Sequence, residues 1–122
     1  MPSNENNMIK REIIAGNTLP ITIVHMMGDV PEDLPEGYDL KVGFYRPHGS
    51  NILTYSLLNG GIDHVGTGVY QVILSHDVTK FFSGEVMMDS VIYNADKSVV
   101  KHASETIMLE VSHREMNKTF EL

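Results

Sequence analysis

The sequence predicts an all-β domain: an antiparallel two-sheet sandwich of about seven strands with one short helical turn. Three observations predict it. Apolar residues recur at every second position in several stretches, the period of a half-buried strand. Clusters of Gly, Pro, Asn and Asp punctuate the chain every ~8–12 residues. No apolar pattern supports a helix longer than two turns, and there is no internal repeat or low-complexity run.

Met1 to Asn7 is polar and carries one charge, too little apolar surface to order itself, and is expected to be an arm. Ile9 to Ile14 is the first strand, ended by Gly16-Asn17, residues that tolerate turn geometry. In "LPITIVH" Leu19, Ile21 and Ile23 share one face and Thr22 and Val24 the other; Pro20, lacking an amide hydrogen, places this strand at a sheet edge. "GDVPEDLPEG" holds Pro31 and Pro35 among four acids and reads as an extended, solvated loop. "YDLKVGFYR" puts Leu40, Val42 and Phe44 inward and Asp39, Lys41 and Tyr45 outward. "RPHG" fits a type I turn with Pro47 second and Gly49 fourth, "NILTYSLL" returns as the hairpin partner, and "NGG" turns again.

Tyr70, Val72 and Leu74 form the next alternating strand, which stops at Ser75. The Ser75 side chain is expected to cap one or two helical turns through "HDVTKFF", with Asp77 complementing the dipole. Val78 with Phe81 or Phe82 then plugs one end of the sandwich, and Gly84 reverses the chain. "GEVMMDSVIY" places Val86, Met88, Ser90 and Ile92 on one face, "NADKS" turns, and Val99 to Val111 is the last long strand, with Ile107, Leu109 and Val111 inward. One core is expected to unite Leu40, Val42, Phe44, Tyr70, Val72, Leu74, Ile107 and Leu109. Residues 8–112 form the domain, and 113–122, "HREMNKTFEL", form a second arm that docks on a partner or a frayed end.

Composition bounds the function. The 122 residues suit one core. The absence of cysteine excludes disulfides and thiolate metal sites and fits a reducing compartment. A net charge of −7, from 16 acidic and 9 basic residues, disfavours nucleic acid as a partner, because phosphate binders cluster Lys and Arg. No apolar run approaches the roughly 20 residues that span a bilayer, and "MPSNENNMIK" lacks the basic start and apolar middle of a secretion signal. Neither export by signal peptide nor membrane anchoring is expected.

No motif announces catalysis. The six histidines, at 25, 48, 64, 76, 102 and 113, never lie two to five residues apart as zinc pairs do. His64 beside Asp63 and His76 beside Asp77 are solvated loop residues unless a third group converges on them. There is no nucleophile elbow, "GTG" at 66–68 is a turn without a phosphate-binding context, and Glu32, Asp33 and Glu36 do not have calcium-loop spacing. No cofactor, metal or enzymatic activity is expected. Met87 and Met108 fall opposite the inferred core face, with Val91 and Tyr93 on the face of Met87. Met is adaptable at irregular contacts. Met87, Val91 and Met108, with Met116, Phe120 and Leu122 of the tail, are therefore the candidate partner-binding residues; the alternative is that the sheets wrap and bury them, or that they are scattered surface residues.

The succession "IIAGNTLPITI", "DLKVGFYRPHGS", "GVYQVILS", "HDVTKFFSGEVMMDSVIYNADKS" and "ETIMLEVS" resembles an immunoglobulin-like β-sandwich domain of tailed-bacteriophage virion proteins, nearest to the baseplate upper protein amino-terminal type. The likeness runs from Ile9 to Val111. In that family a Gly-Xaa-Tyr strand, a Thr-containing helical turn, Gly, an Asp-containing strand and an Asp/Gly turn follow in order; here Val86 stands where an aromatic is common, and "NADKS" has no Gly. The resemblance implies a non-enzymatic virion building block with no catalytic residues, present in many copies and bound to the major capsid protein or to tail or fibre proteins. It implies a product made in the cytoplasm of a bacterial host and located in the virion. A free-standing domain of this size favours an auxiliary (decoration) protein on the capsid surface over a tail, baseplate or fibre-adaptor component. A carbohydrate- or ligand-binding module is the other reading; it calls for exposed aromatics converging on one end or face, in a chain with no Trp, five Tyr and four Phe.

Overall fold

In the computed structural model, which describes residues 8–102 and 106–112, the alternating stretches form strands as their period requires. The elements are β1 (Met8–Ile14), β2 (Leu19–Val24), β3 (Met26–Met27), β4 (Val30–Pro31), β5 (Asp39–Tyr45), β6 (Asn51–Ser56), β7 (Asp63–Gly66), β8 (Val69–Leu74), α1 (His76–Thr79), β9 (Gly84–Tyr93), β10 (Val99–His102) and β11 (Thr106–Ser112). One sheet has the order β1-β11-β9-β5-β6, with β10 also on β9. A second has the order β2-β8-β7, and β3-β4 is a small ribbon. The domain is all-β, with Pro20 on edge strand β2, the kind of position where a strand tolerates proline.

The inner faces of both sheets feed one core. Leu40, Val42 and Phe44 of β5, Val86 and Met88 of β9 and Leu109 of β11 meet Ile21 of β2 and Tyr70, Val72 and Leu74 of β8. Ile107 and Val111 pack against this cluster half-buried. Phe44 sits at its centre, edge-on to Tyr55 and tilted against Phe82, each at 6.0 Å between ring centroids.

Several expectations change. The larger sheet is mixed rather than antiparallel, because β1 runs parallel to β11, Ile9 opposite Ile107 and Ile13 opposite Val111. The expected single strand from Val99 to Val111 is two strands on the same edge of β9. From His102↔Val91 to Ile107↔Met88 the chain advances five residues against three, so the register differs by two between the two pairings. Strand β7 was not expected, since all four of its residues are exposed and carry no alternation. Asp39, expected to face solvent, is buried: its carboxylate accepts Ser56 Oγ (2.9 Å) and the Leu58 amide (3.0 Å), which satisfies the charge.

The polar knot after β8 is a single turn, α1. Ser75 occupies its N-cap, but no side-chain cap forms; the Ser75 carbonyl instead accepts the Val78 and Thr79 amides. Phe82 fills the core and Phe81 is 74% exposed, which decides which Phe is the plug. The purpose of the turn lies in Thr79, fully buried, whose Oγ1 accepts the Gly16 amide (3.1 Å) and donates to the Asn17 carbonyl (2.6 Å). Thr79 thus pins the β1–β2 turn, 62 residues away in sequence, to the end of the core. Thr79→Val keeps the shape and strands both backbone groups, so it is expected to cost about 2 kcal/mol in urea unfolding, against a few tenths for Thr79→Ser.

Two hairpins share one geometry. At the β5–β6 turn Gly49 N–H donates to Arg46 O (2.8 Å) and Arg46 N–H to Ser50 O (2.7 Å); at the β9–β10 turn Lys97 N–H donates to Asn94 O and Asn94 N–H to Ser98 O, both at 2.9 Å. Each needs a left-handed fourth residue. Gly49 supplies φ 96° freely, whereas Lys97 holds φ 68°, the one positive φ of a non-glycine residue among the described residues. Asn94 Oδ1 compensates by accepting the Asp96 and Ser98 amides. Lys97→Gly is expected to stabilise the fold by about 1 kcal/mol, read as a higher melting temperature.

Candidate functional site

The residues singled out for partner contact divide three ways. Met87 and Met108 face outward, directly paired across β9 and β11. They are not an accessible strip, however, because Met87 is 8% and Met108 6% exposed. Met108 has Lys10 on its other side, and Met87 has Tyr45, whose hydroxyl donates to Asp89 Oδ2 (3.0 Å) and holds the ring beside it. Burial and that bond to Asp89 push the Tyr45 hydroxyl pKa up. Val91 is half-buried on the same face. Met116, Phe120 and Leu122, with both expected arms, lie outside the described residues.

Exposed apolar side chains occur on both sheets: Ile9, Val99 and Val100 belong to the larger one, and a further set lies on the other. By register the outer face of β2-β8-β7 carries Pro20 with Ile73, Thr22 with Gln71 and Asp63, and Val24 with Val69. Val24, Ile73 and Val65 are each about half exposed, and among the described residues Asp63 is the one charge on this face. Beyond Val24 the ribbon adds exposed Met26, Met27 and Val30. The signal lay in "ITIV" and "VYQVIL", whose outward residues carry no charge, but it emerges only when the strands are paired.

The acidic loop is built rather than merely solvated. Asp33 Oδ1 accepts the Gly68 amide at 2.6 Å and lies 2.8 Å from His64 Nε2. His64 stacks on Tyr70 at 4.7 Å, and the Tyr70 hydroxyl accepts the Leu34 amide at 2.9 Å. His25 and Glu32 close the ring: the Glu32 amide donates to His25 O, the His25 ring reaches Glu32 O at 2.6 Å, and the His25 amide donates to Gly68 O. His64 therefore pairs with Asp33, not with its neighbour Asp63. Among the described residues no serine or threonine is bonded to this pair, and no group of three or more His, Cys, Asp or Glu is placed to hold a metal. Two clefts, of about 270 and 290 Å³, flank the loop; both are lined by His25, Leu34, Ile92 and Lys101.

The Gly68 amide, and secondarily His64, hold the Asp33 carboxyl below its ordinary pKa. A depressed folded-state pKa contributes stability that is complete above the unfolded value, about 3.9, and is lost as pH falls through the folded value. Asp33→Asn is therefore expected to lower the melting temperature at neutral pH and to narrow its gap to wild type below about pH 3.9, checked by calorimetry across that range.

No helix among the described residues is long and apolar enough to cross a membrane. No protein-family model matches the sequence, and no curated protein matches it.

Proposed function

We propose that this chain is an immunoglobulin-like sandwich module serving as a non-enzymatic structural protein of a tailed-bacteriophage virion, an auxiliary protein on the capsid surface. The observation that carries the reading is the strand order. β1-β11-β9-β5-β6 opposite β2-β8-β7 corresponds to the immunoglobulin division, in which the third, sixth and seventh principal strands share one sheet and the second, fourth and fifth the other. The virion assignment rests on the resemblance in the order of sequence signals from Ile9 to Val111. The outer face of β2-β8-β7, with Asp63 as its one charge among the described residues, supports attachment, since an acidic protein that stayed alone in solution gains nothing from leaving that face nearly free of charge. The neighbours are other virion proteins, and the copies are many.

The reading is tested by banding phage particles, from the bacterial strain that encodes the chain, on a density gradient and probing the fractions with antibody. Signal that co-bands with intact particles and survives a second gradient supports it. Signal confined to the soluble fractions, with none in particles, overturns it and favours the ligand-binding alternative.

A further inference from the structure

We propose that the cleft between the 37–41 strand entry and the β9–β10 turn is a binding site for a small hydroxylated organic anion, a sugar acid or sugar phosphate. The cleft, of about 360 Å³, is lined by Asp39, Lys41, Ser56, Asn59, Tyr93 and Asn94, with Lys97 on its rim. Two independent features point to a ligand. The first is charge: a chain with 9 basic and 16 acidic residues brings two of its lysines, from β5 and from the β9–β10 turn, to one concavity. Among the described residues the one carboxylate there, Asp39, is already occupied by Ser56 and the Leu58 amide, and these residues give the cleft a net charge of +1 from Lys41, Lys97 and Asp39. Ammonium groups act as point charges for carboxylate or phosphate.

The second feature is backbone strain. The β5–β6 turn of identical geometry uses Gly49, whereas the turn at the cleft retains a lysine in the left-handed region. Strain kept where glycine fits is the mark of a side chain wanted for itself. The walls then choose the body of the ligand: the Asn59 side-chain amide and the Asn94 side-chain NH2, whose own oxygen is taken by the turn, supply hydrogen bonds for hydroxyls. Tyr93 supplies a ring already covered on one side by Lys41, its Nζ 5.1 Å from the centroid. A cleft of about 360 Å³ has room for one sugar-sized molecule.

The experiment titrates the free protein at low ionic strength with glucuronate, glucose 6-phosphate and uncharged glucose, following Tyr93 and Lys97 resonances by NMR. At least one anion is expected to saturate the shifts in the millimolar range, glucose is not, and added salt is expected to weaken the binding. Which anion wins separates carboxylate from phosphate. Lys97→Gly is the decisive variant, because it is expected to raise the melting temperature while weakening anion binding by about tenfold, and Lys97→Arg is expected to retain binding. Lys41→Met is expected to weaken it likewise. No saturable shift with either anion, or undiminished binding in both Lys97→Gly and Lys41→Met, overturns the proposal.

Discussion

Gly68→Ala is expected to cost about 2–5 kcal/mol, from strain in the left-handed region together with overpacking. At φ 69° a Cβ on Gly68 would stand 2.5 Å from the Glu32 amide nitrogen and 3.0 Å from the carbonyls of Glu32 and His25. All three are backbone atoms, so no side chain can swing away. Relief requires the loop to lift, which breaks the Gly68–Asp33 bond and the His25–Gly68 bond together. The control is Gly66→Ala, where the added Cβ would meet only Val69 side-chain carbons at 3.8 and 3.9 Å. That change is expected to stay within about 1 kcal/mol. Equal costs at the two positions in urea melts would show that the 25–35 loop is not held against the β7–β8 turn.

Phe44→Ala is expected to cost about 3–5 kcal/mol, the range for truncating a buried aromatic. The side chain is fully buried where the two sheets and the plug meet, and its removal leaves Tyr55 and Phe82 facing a void. Phe81→Ala is the natural comparison, since it removes the same atoms from an exposed position and is expected to change stability by no more than about 0.5 kcal/mol. A loss below about 1 kcal/mol at Phe44 would put the β5 register out by one residue and turn its inner face outward.

These positions show what alternation can and cannot reveal. Leu40, Val42, Phe44, Tyr70, Val72 and Leu74 were placed inside from period alone, because a strand half-buried in a core has no other way to satisfy its side chains. The Arg46–Gly49 turn and the edge position of Pro20 followed equally from local backbone chemistry. What stayed hidden depends on distant partners. Asp33 reads as one more solvated acid until Gly68 and His64, 35 and 31 residues away, are brought to it. Thr79 reads as an ordinary helix residue until the Gly16–Asn17 turn arrives above it. The parallel pairing of β1 with β11 leaves no trace in either strand, since both alternate in the same way whichever direction the neighbour runs. Alternation puts Met87 and Met108 opposite the core face, but period says nothing about what stands beside a residue, and Lys10 and Tyr45 flank them.

The measurement that tests the virion reading most directly is a cryo-electron microscopy comparison of particles that carry this chain with particles from a strain in which its coding sequence is deleted. The account predicts surface density, at symmetry-related positions on the head, into which the two-sheet domain fits with its β2-β8-β7 face toward the particle, and which is absent from the deletion particles. Maps that are identical with and without the chain, at head and tail alike, would contradict it.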